Sequence, residues 1–305
     1  MRGLVRLLGC VVVWVASIEG VAAQEGQEVS EVSEVSEVAE VPEAPESQGA
    51  SSDLKLYVFD CGQISLTDVS AFGLSNDETA VRDLFVPCYL IQHGEETLLW
   101  DTGLPSSVAD NPAGVDVQGM HLSYAKPFLE QLSEAGFSPQ DIDFLALSHM
   151  HFDHSSGAND FSGSTLLIQQ PEYQAAFPDV EQYSFFDKRW YAALENSEKR
   201  LLNGEYDVFG DGSVVIYSAP GHTPGHQVLY LNLTSTGPVV LSGDLYHFRF
   251  SREHQRVPVF NYDKAETLNS MRYVEALLKE KHATLWIEHD KAFADTLTKA
   301  PFYYH

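Results

Sequence analysis

His149-Met150-His151-Phe152-Asp153-His154 sets four metal-ligand side chains within six residues. The stretch comes directly after residues 143–147, a short apolar run of the kind that forms a buried strand. In an extended segment alternate side chains point the same way, so His149 and His151 can grip one ion together. Asp153 and His154 then project toward a second position as the chain turns into Ser155-Ser156-Gly157, where the two serines read as turn residues. Imidazole with carboxylate is the donor set of zinc and similar divalent ions. Packing alone does not explain so many ionisable groups at a strand end, and the cluster reads as half of a metal site.

The other half lies downstream, each candidate just past an expected strand, as it would if one loop-bearing edge carried the site. Pro220-Gly221-His222-Thr223-Pro224-Gly225-His226 follows the run 214–218. Its prolines and glycines set a tight turn, with His222 the ligand and His226 an orienting or structural residue. Leu241-Ser242-Gly243-Asp244 ends the run 239–241 on a carboxylate, and Ile287-Glu288-His289-Asp290 ends the run 284–287 on a histidine. Residues 54–59 alternate like a strand, 88–92 and 97–100 form a hairpin about His93-Gly94-Glu95, and 227–231 is a further strand. Residues 123–135 have helical spacing, with Phe128, Leu129 and Leu132 on one side and Gly136 closing it. Residues 264–280 form a helix whose buried stripe is Leu268, Met271, Val274, Leu277 and Leu278. Hairpins first, then alternating strands and helices, predict an α+β fold of two packed sheets with helices outside.

The chain of 305 residues carries 18 Lys and Arg against 44 Asp and Glu, a formal net charge of −26. A surface this acidic repels phosphate backbones and anionic headgroups, which argues against a nucleic-acid partner. Arg2 and Arg6, the apolar run 7–18 and the small residues Val21-Ala22-Ala23 read as a secretory signal over residues 1–23, so a periplasmic or secreted protein is expected. The run is too short to span a bilayer, so no stable membrane insertion is expected. Leu7-Leu8-Gly9-Cys10 offers a lipoprotein site instead, but most of the apolar run follows Cys10. Residues 24–53 hold Glu-Val-Ser repeats, eight Glu, no Lys or Arg and no aromatic residue. Such a stretch cannot bury enough apolar surface to offset ordering and reads as a disordered acidic linker before a domain over 54–305. Cys61 and Cys88 remain once the signal is removed. An oxidising compartment permits a disulfide between them, and two buried thiols are the other reading.

Five ordered segments resemble the metallo-β-lactamase superfamily: Trp100-Asp101-Thr102-Gly103, the 149–154 cluster, the His222 loop, Asp244 and His289. The resemblance spans residues 54 to about 300 and implies a four-layer αββα sandwich. It also implies two divalent ions, with His149, His151 and His222 on one, Asp153, His154 and His289 on the other, and Asp244 bridging. Zinc is the default, and iron, manganese or cobalt fit the same donors. Asp101 would orient ligands and the turn, or serve only as a turn residue before Gly103. Within the superfamily the chain is similar to the N-acyl-homoserine lactonases, through Leu56-Tyr57-Val58-Phe59-Asp60-Cys61-Gly62, Cys88-Tyr89-Leu90, the 221–226 turn with Gln227, and Glu288-His289-Asp290. Those lactonases carry a Tyr shortly after the bridging Asp, close to the substrate carbonyl. Here Tyr246 and His247 both fall in that neighbourhood, and spacing does not decide between them.

The resemblance implies opening of a small-molecule lactone or ester by hydroxide that two ions make available near neutral pH. Asp153 would hand a proton to the leaving alkoxide, and Tyr246 or His247 would donate a hydrogen bond. Thioesterase, phosphodiesterase or β-lactamase chemistry on the same scaffold is the alternative. The absence of an obvious basic cluster weighs against phosphorylated polymers, and Asp244 with His154 against the β-lactamases that use a Cys ligand. The intact ligand set argues against a purely binding role. Tyr183, Phe185, Phe186, Trp190 and Tyr191 line an acyl-chain groove or pack a helix, with packing preferred, and Phe72 with residues 104–122 is expected as a lid.

Overall fold

Residues 54–178 and 186–305 are described in the computed structural model of this protein. The expected signal, the acidic linker, Tyr183 and Phe185 lie outside the described residues. The strands run in chain order β1 (Leu54–Leu66), β2 (Asp83–His93), β3 (Glu96–Trp100), β4 (Val115–Val117), β5 (Met120–Ser123), β6 (Phe144–Ala146), β7 (Thr165–Gln169) and β8 (Lys199–Leu202). There follow β9 (Tyr206–Asp207), β10 (Val214–Ser218), β11 (Gln227–Leu233), β12 (Gly237–Leu241), β13 (Thr284–Trp286) and β14 (Tyr303–Tyr304). One sheet has the order β4-β5-β1-β2-β3-β6-β7-β8, with β14 also paired to β1; the other has the order β13-β12-β11-β10-β9. The β3/β6, β6/β7, β7/β8 and β12/β13 pairs are parallel and therefore need crossover connections, which supply the helices.

Side-chain alternation sorts the strands into layers. Leu98 and Trp100 of β3 share a core with Val214 and Ile216 of β10 and Leu229 and Leu231 of β11, so this core lies between the sheets. Leu99, one residue out of phase, faces the other side of the first sheet, where Phe128 and Leu132 of helix α1 (Phe128–Glu134) pack. Val215, Tyr217, Val228 and Tyr230 face outward from the second sheet. The helices continue as α2 (Phe152–Ser155), α3 (Gln170–Ala176), α4 (Arg249–His254), α5 (Lys264–Glu280) and α6 (Lys291–Ala294). The Met271, Val274, Leu277 and Leu278 stripe of α5 covers that outward face. Helix, sheet, sheet, helix is the expected four-layer α+β sandwich. Among the described residues no helix is long and apolar enough to cross a membrane.

Two local expectations are corrected. The helix expected over 123–135 starts only at Phe128, because Pro127 occupies the N-cap at ψ 144° and disfavours helix in the residue before it. Ser123 instead ends β5, and Leu129 is 39% exposed rather than buried. The strands β4, β5, β7, β8, β9 and β14 go beyond those expected: β7 is almost wholly buried and so does not alternate, and the others are too short or too exposed to show a period of two. The 104–122 stretch, expected as a lid, holds the β4–β5 hairpin, tied into the sheet through β1. Cys61 and Cys88 form a disulfide across β1 and β2, with Cα atoms 5.8 Å apart. The turn carrying Asp101 rests on it: Gly103 has φ 72°, and a Cβ there would lie 2.3 Å from Cys61 Cβ, so only glycine fits.

Candidate metal centre

Every expected ligand stands at the C-terminal end of a strand. His149 and His151 follow β6, His222 follows β10, Asp244 follows β12 and His289 follows β13. His151 stays extended as the N-cap of α2, and the short α2 then carries Asp153 and His154 to the far side of the cluster. Gly221 lets the β10 loop return sharply: its φ is 124°, and a Cβ would lie 2.2 Å from the Thr267 backbone nitrogen at the start of α5.

The donor atoms form two groups around one carboxylate. His149 Nε2 lies 2.9 Å from His151 Nδ1, and His222 Nε2 lies 3.2 and 3.1 Å from those two nitrogens. A tetrahedral ion bound at about 2.0–2.1 Å sets its ligands roughly 3.3 Å apart, which these nitrogens approach. Asp244 Oδ2 faces this group, 3.2 Å from His222 Nε2 and 3.6 Å from His149 Nε2. Its Oδ1 faces the other, 2.8 Å from His289 Nε2 and 3.2 Å from His154 Nε2. Asp153 Oδ2 completes that second group, 3.7 Å from His289 Nε2 and 3.8 Å from His154 Nε2. Asp244 Oδ1 and His154 Nε2 are buried and complete no hydrogen bond. Donors crowded together with their lone pairs turned inward fit shared cations, and both groups can hold a metal ion. A carboxylate that divides its oxygens between them fits a bridge.

On three of these rings the remaining nitrogen is held from outside, which orients the ring. His154 Nδ1 lies 2.8 Å from Asp101 Oδ2, while Asp101 Oδ1 accepts from the Ser148 backbone N–H. His289 Nδ1 donates to Phe85 O at 2.7 Å, and His222 Nδ1 pairs with Asn261 Oδ1 at 2.9 Å. Asp101 thus does more than form a turn. His226 accepts the Asp244 backbone N–H on Nε2 and pairs through Nδ1 with Ala219 O, so it positions Asp244 without entering the cluster. Burial lowers the His226 pKa to about 3, keeping Nε2 free to accept. Burial, then the neighbouring imidazoles, likewise hold His149 well below its usual range, which favours the neutral ligand form. Burial pushes Asp244 up, but His247, His289, His154 and His149 outweigh it and hold the carboxyl well below its usual range.

Glu172, at the start of α3, is a residue the sequence does not point to. Its carboxylate accepts from Met150 N at 2.9 Å and from Gly225 N at 2.7 Å, tying the His149–His151 segment to the His222 loop. Glu288 plays a similar part, accepting on Oε1 from Trp100 Nε1 and Gly243 N.

Tyr246 does not reach the cluster. Its hydroxyl donates to Glu275 Oε1 at 3.1 Å on α5, and its ring packs in the outer core. The backbone at Tyr246 is extended, so the next side chain turns the opposite way. That side chain is His247, buried, with Nε2 3.0 Å from Asp244 Oδ2. Phe72 packs edge-on to His247 at 4.9 Å, Phe260 lies 5.9 Å from His222, and Phe186 lies 5.7 Å from His151, so apolar rings border the donors. Tyr191 instead packs in the core against Phe177, and Trp190 lies against the same core.

The model of the metallo-β-lactamase superfamily matches residues 81–281. The N-acyl homoserine lactonase AttM of Rhizobium johnstonii is 29% identical over 83% of this chain and 99% of its own length. An N-acyl homoserine lactonase of a Bacillus species is 29% identical over 77% of this chain and 93% of its own. Among solved structures, an N-acyl homoserine lactone hydrolase with the product N-hexanoyl-L-homoserine at its catalytic metal centre superposes with a TM-score of 0.69. It is 27% identical and covers 82% of this chain and 98% of that one.

Proposed function

This chain belongs to the metallo-β-lactamase superfamily, and on that footing we propose that it is a metal-dependent hydrolase that opens the lactone ring of N-acyl-homoserine lactones or closely related cyclic esters. The observation that carries the reading is the single carboxylate of Asp244, whose two oxygens face the two donor groups. The similarity to N-acyl homoserine lactonases, over 77–83% of this chain and 93–99% of theirs, supports the substrate class.

His149, His151 and His222 would hold one ion, Asp153, His154 and His289 the other, and Asp244 both. Zinc suits the donors and the distances. When bound, the ions supply Lewis acidity and an activated water at neutral pH. The chain's own groups do the rest. Asp101, Phe85 O and Asn261 keep the donor nitrogens aimed inward. Asp153, at the second group, would take up the proton that the attacking hydroxyl gives up and pass it to the alkoxide that leaves when the ring opens. Phe72, Phe186 and Phe260 offer apolar surface to an acyl chain and limit water around the scissile ester. Export is part of the same reading, supported by the signal-like N-terminus and by the Cys61–Cys88 disulfide, a bond that persists in oxidising compartments.

The test is to prepare the full chain with metal, count bound ions, and follow ring opening of short- and long-chain homoserine lactones beside a thioester, a phosphodiester and a β-lactam. Two ions per chain and lactone turnover are expected. Silent lactones beside robust turnover of any of the other three would refute the substrate class.

A further inference from the structure

We propose that His247 is itself a metal ligand, joining Asp244 and His289 in a third donor group at the shared carboxylate. The inference rests on the two-ion reading above and adds a ligand that the ordered motif of the superfamily does not contain. His247, Asp244 and His289 each offer a donor atom, all within 4.8 Å of one another, and all three residues are buried. His247 Nε2 approaches the same Asp244 oxygen that His222 and His149 approach, at 3.0 Å against their 3.2 and 3.6 Å. Packing aims it there. The ring is near-parallel to His289, with centroids 5.6 Å apart, and Phe72 abuts its edge. Strand-like alternation after Asp244 sends Tyr246 onto α5 and His247 into the cluster. Asp101 and Asn261, which orient ligand rings here, do so from outside, on the ring nitrogen turned away from the donors, and His226 orients Asp244 through its backbone N–H. His247 instead brings its own ring nitrogen inside.

The chemistry separates this residue from the tyrosine that lactonases carry nearby. A neutral imidazole coordinates a divalent ion at pH 7 without losing a proton, whereas a phenol with a pKa near 10 must give one up. An added imidazole also suits ions that accept five or six ligands, such as iron, manganese or cobalt, and not only four-coordinate zinc.

The test compares the full chain with His247→Gln and His247→Glu, each checked for native circular dichroism and titrated with Co2+ alone. Ion count, affinity and the visible absorption of the bound Co2+ are the readouts. If His247 ligates, His247→Gln weakens Co2+ binding by at least about 10-fold and shifts the absorption, since even outer partners of a ligand are worth about 10–100-fold. His247→Glu restores much of the affinity, because a carboxylate is itself a ligand. If His247 only donates a hydrogen bond to Asp244, the order reverses: Gln still donates, while Glu repels Asp244 and binds worst. That order, or a Gln variant with unchanged affinity and spectrum, would overturn the proposal. Should either variant misfold, His247→Tyr in the same titration takes its place, with weaker binding and an altered spectrum expected, and wild-type behaviour overturning the proposal. A wild-type chain that fails to bind two ions would defeat the two-ion reading instead, so the two failures are told apart.

Discussion

Individual side chains here are decided by which way they turn. Tyr246 and His247 are adjacent, yet one hydroxyl sits on Glu275 and the other side chain's nitrogen lies 3.0 Å from Asp244. Tyr246→Phe should therefore keep kcat/KM on a homoserine lactone within a few-fold, while losing about 1 kcal/mol of stability with its hydrogen bond. A loss of a hundredfold or more in kcat/KM would place the phenol in the reaction after all. Glu172 makes a different demand. Both its oxygens accept backbone N–H groups from ligand-bearing loops. In Glu172→Gln the amide must present N–H to N–H on one side, leaving a buried donor unmatched at roughly 1–3 kcal/mol. We expect a lower Tm and weaker binding of the ion held by His149, His151 and His222, read by metal titration; a variant indistinguishable from wild type in both would show that the two loops keep their places without this carboxylate.

At the scale of elements, the site depends on how sharply loops leave their strands. The β10 loop turns back at Gly221, whose φ of 124° and 2.2 Å gap to Thr267 N leave no room for a methyl group. Gly221→Ala should cost roughly 3 kcal/mol or more, from backbone strain and overlap against α5. It should also displace His222, so thermal unfolding and Co2+ affinity fall together. A variant with lowered Tm but intact Co2+ affinity would show that His222 is positioned independently of this turn. The start of α1 illustrates the same limit on periodicity: Pro127 overrides a helical pattern that runs on either side of it. Likewise α2 is too short to be read from a pattern, although its single turn is what swings Asp153 and His154 away from His149 and His151.

For the whole molecule, two sheets must pack before the cluster exists, since His149 follows a strand of the first sheet and His222, Asp244 and His289 follow strands of the second. Bound ions should therefore stabilise the fold as a unit. At a hundredfold excess of ion over Kd, the linkage term is about 2.7 kcal/mol for each ion, or roughly 5–10 °C per ion in a domain of this size. Chelation should lower Tm by that order, and Zn2+ but not Mg2+ should restore it. An unchanged Tm after verified ion removal, or equal rescue by Mg2+, would mean that the acidic surface rather than the cluster responds. The sequence alone determined the ligand types, their order along the chain and their place at strand ends, because strand alternation and the chemistry of imidazole and carboxylate are local properties. The order of strands and helices along the chain also pointed to two packed sheets with helices outside, and the resemblance to the metallo-β-lactamase superfamily implied the four layers. Only the tertiary structure decided what depends on distant segments meeting. It turned His247 rather than Tyr246 inward, brought Cys61 to Cys88, split the two oxygens of Asp244 between the donor groups, and recruited Glu172 and Asn261, whose roles exist only once the loops they hold have come together.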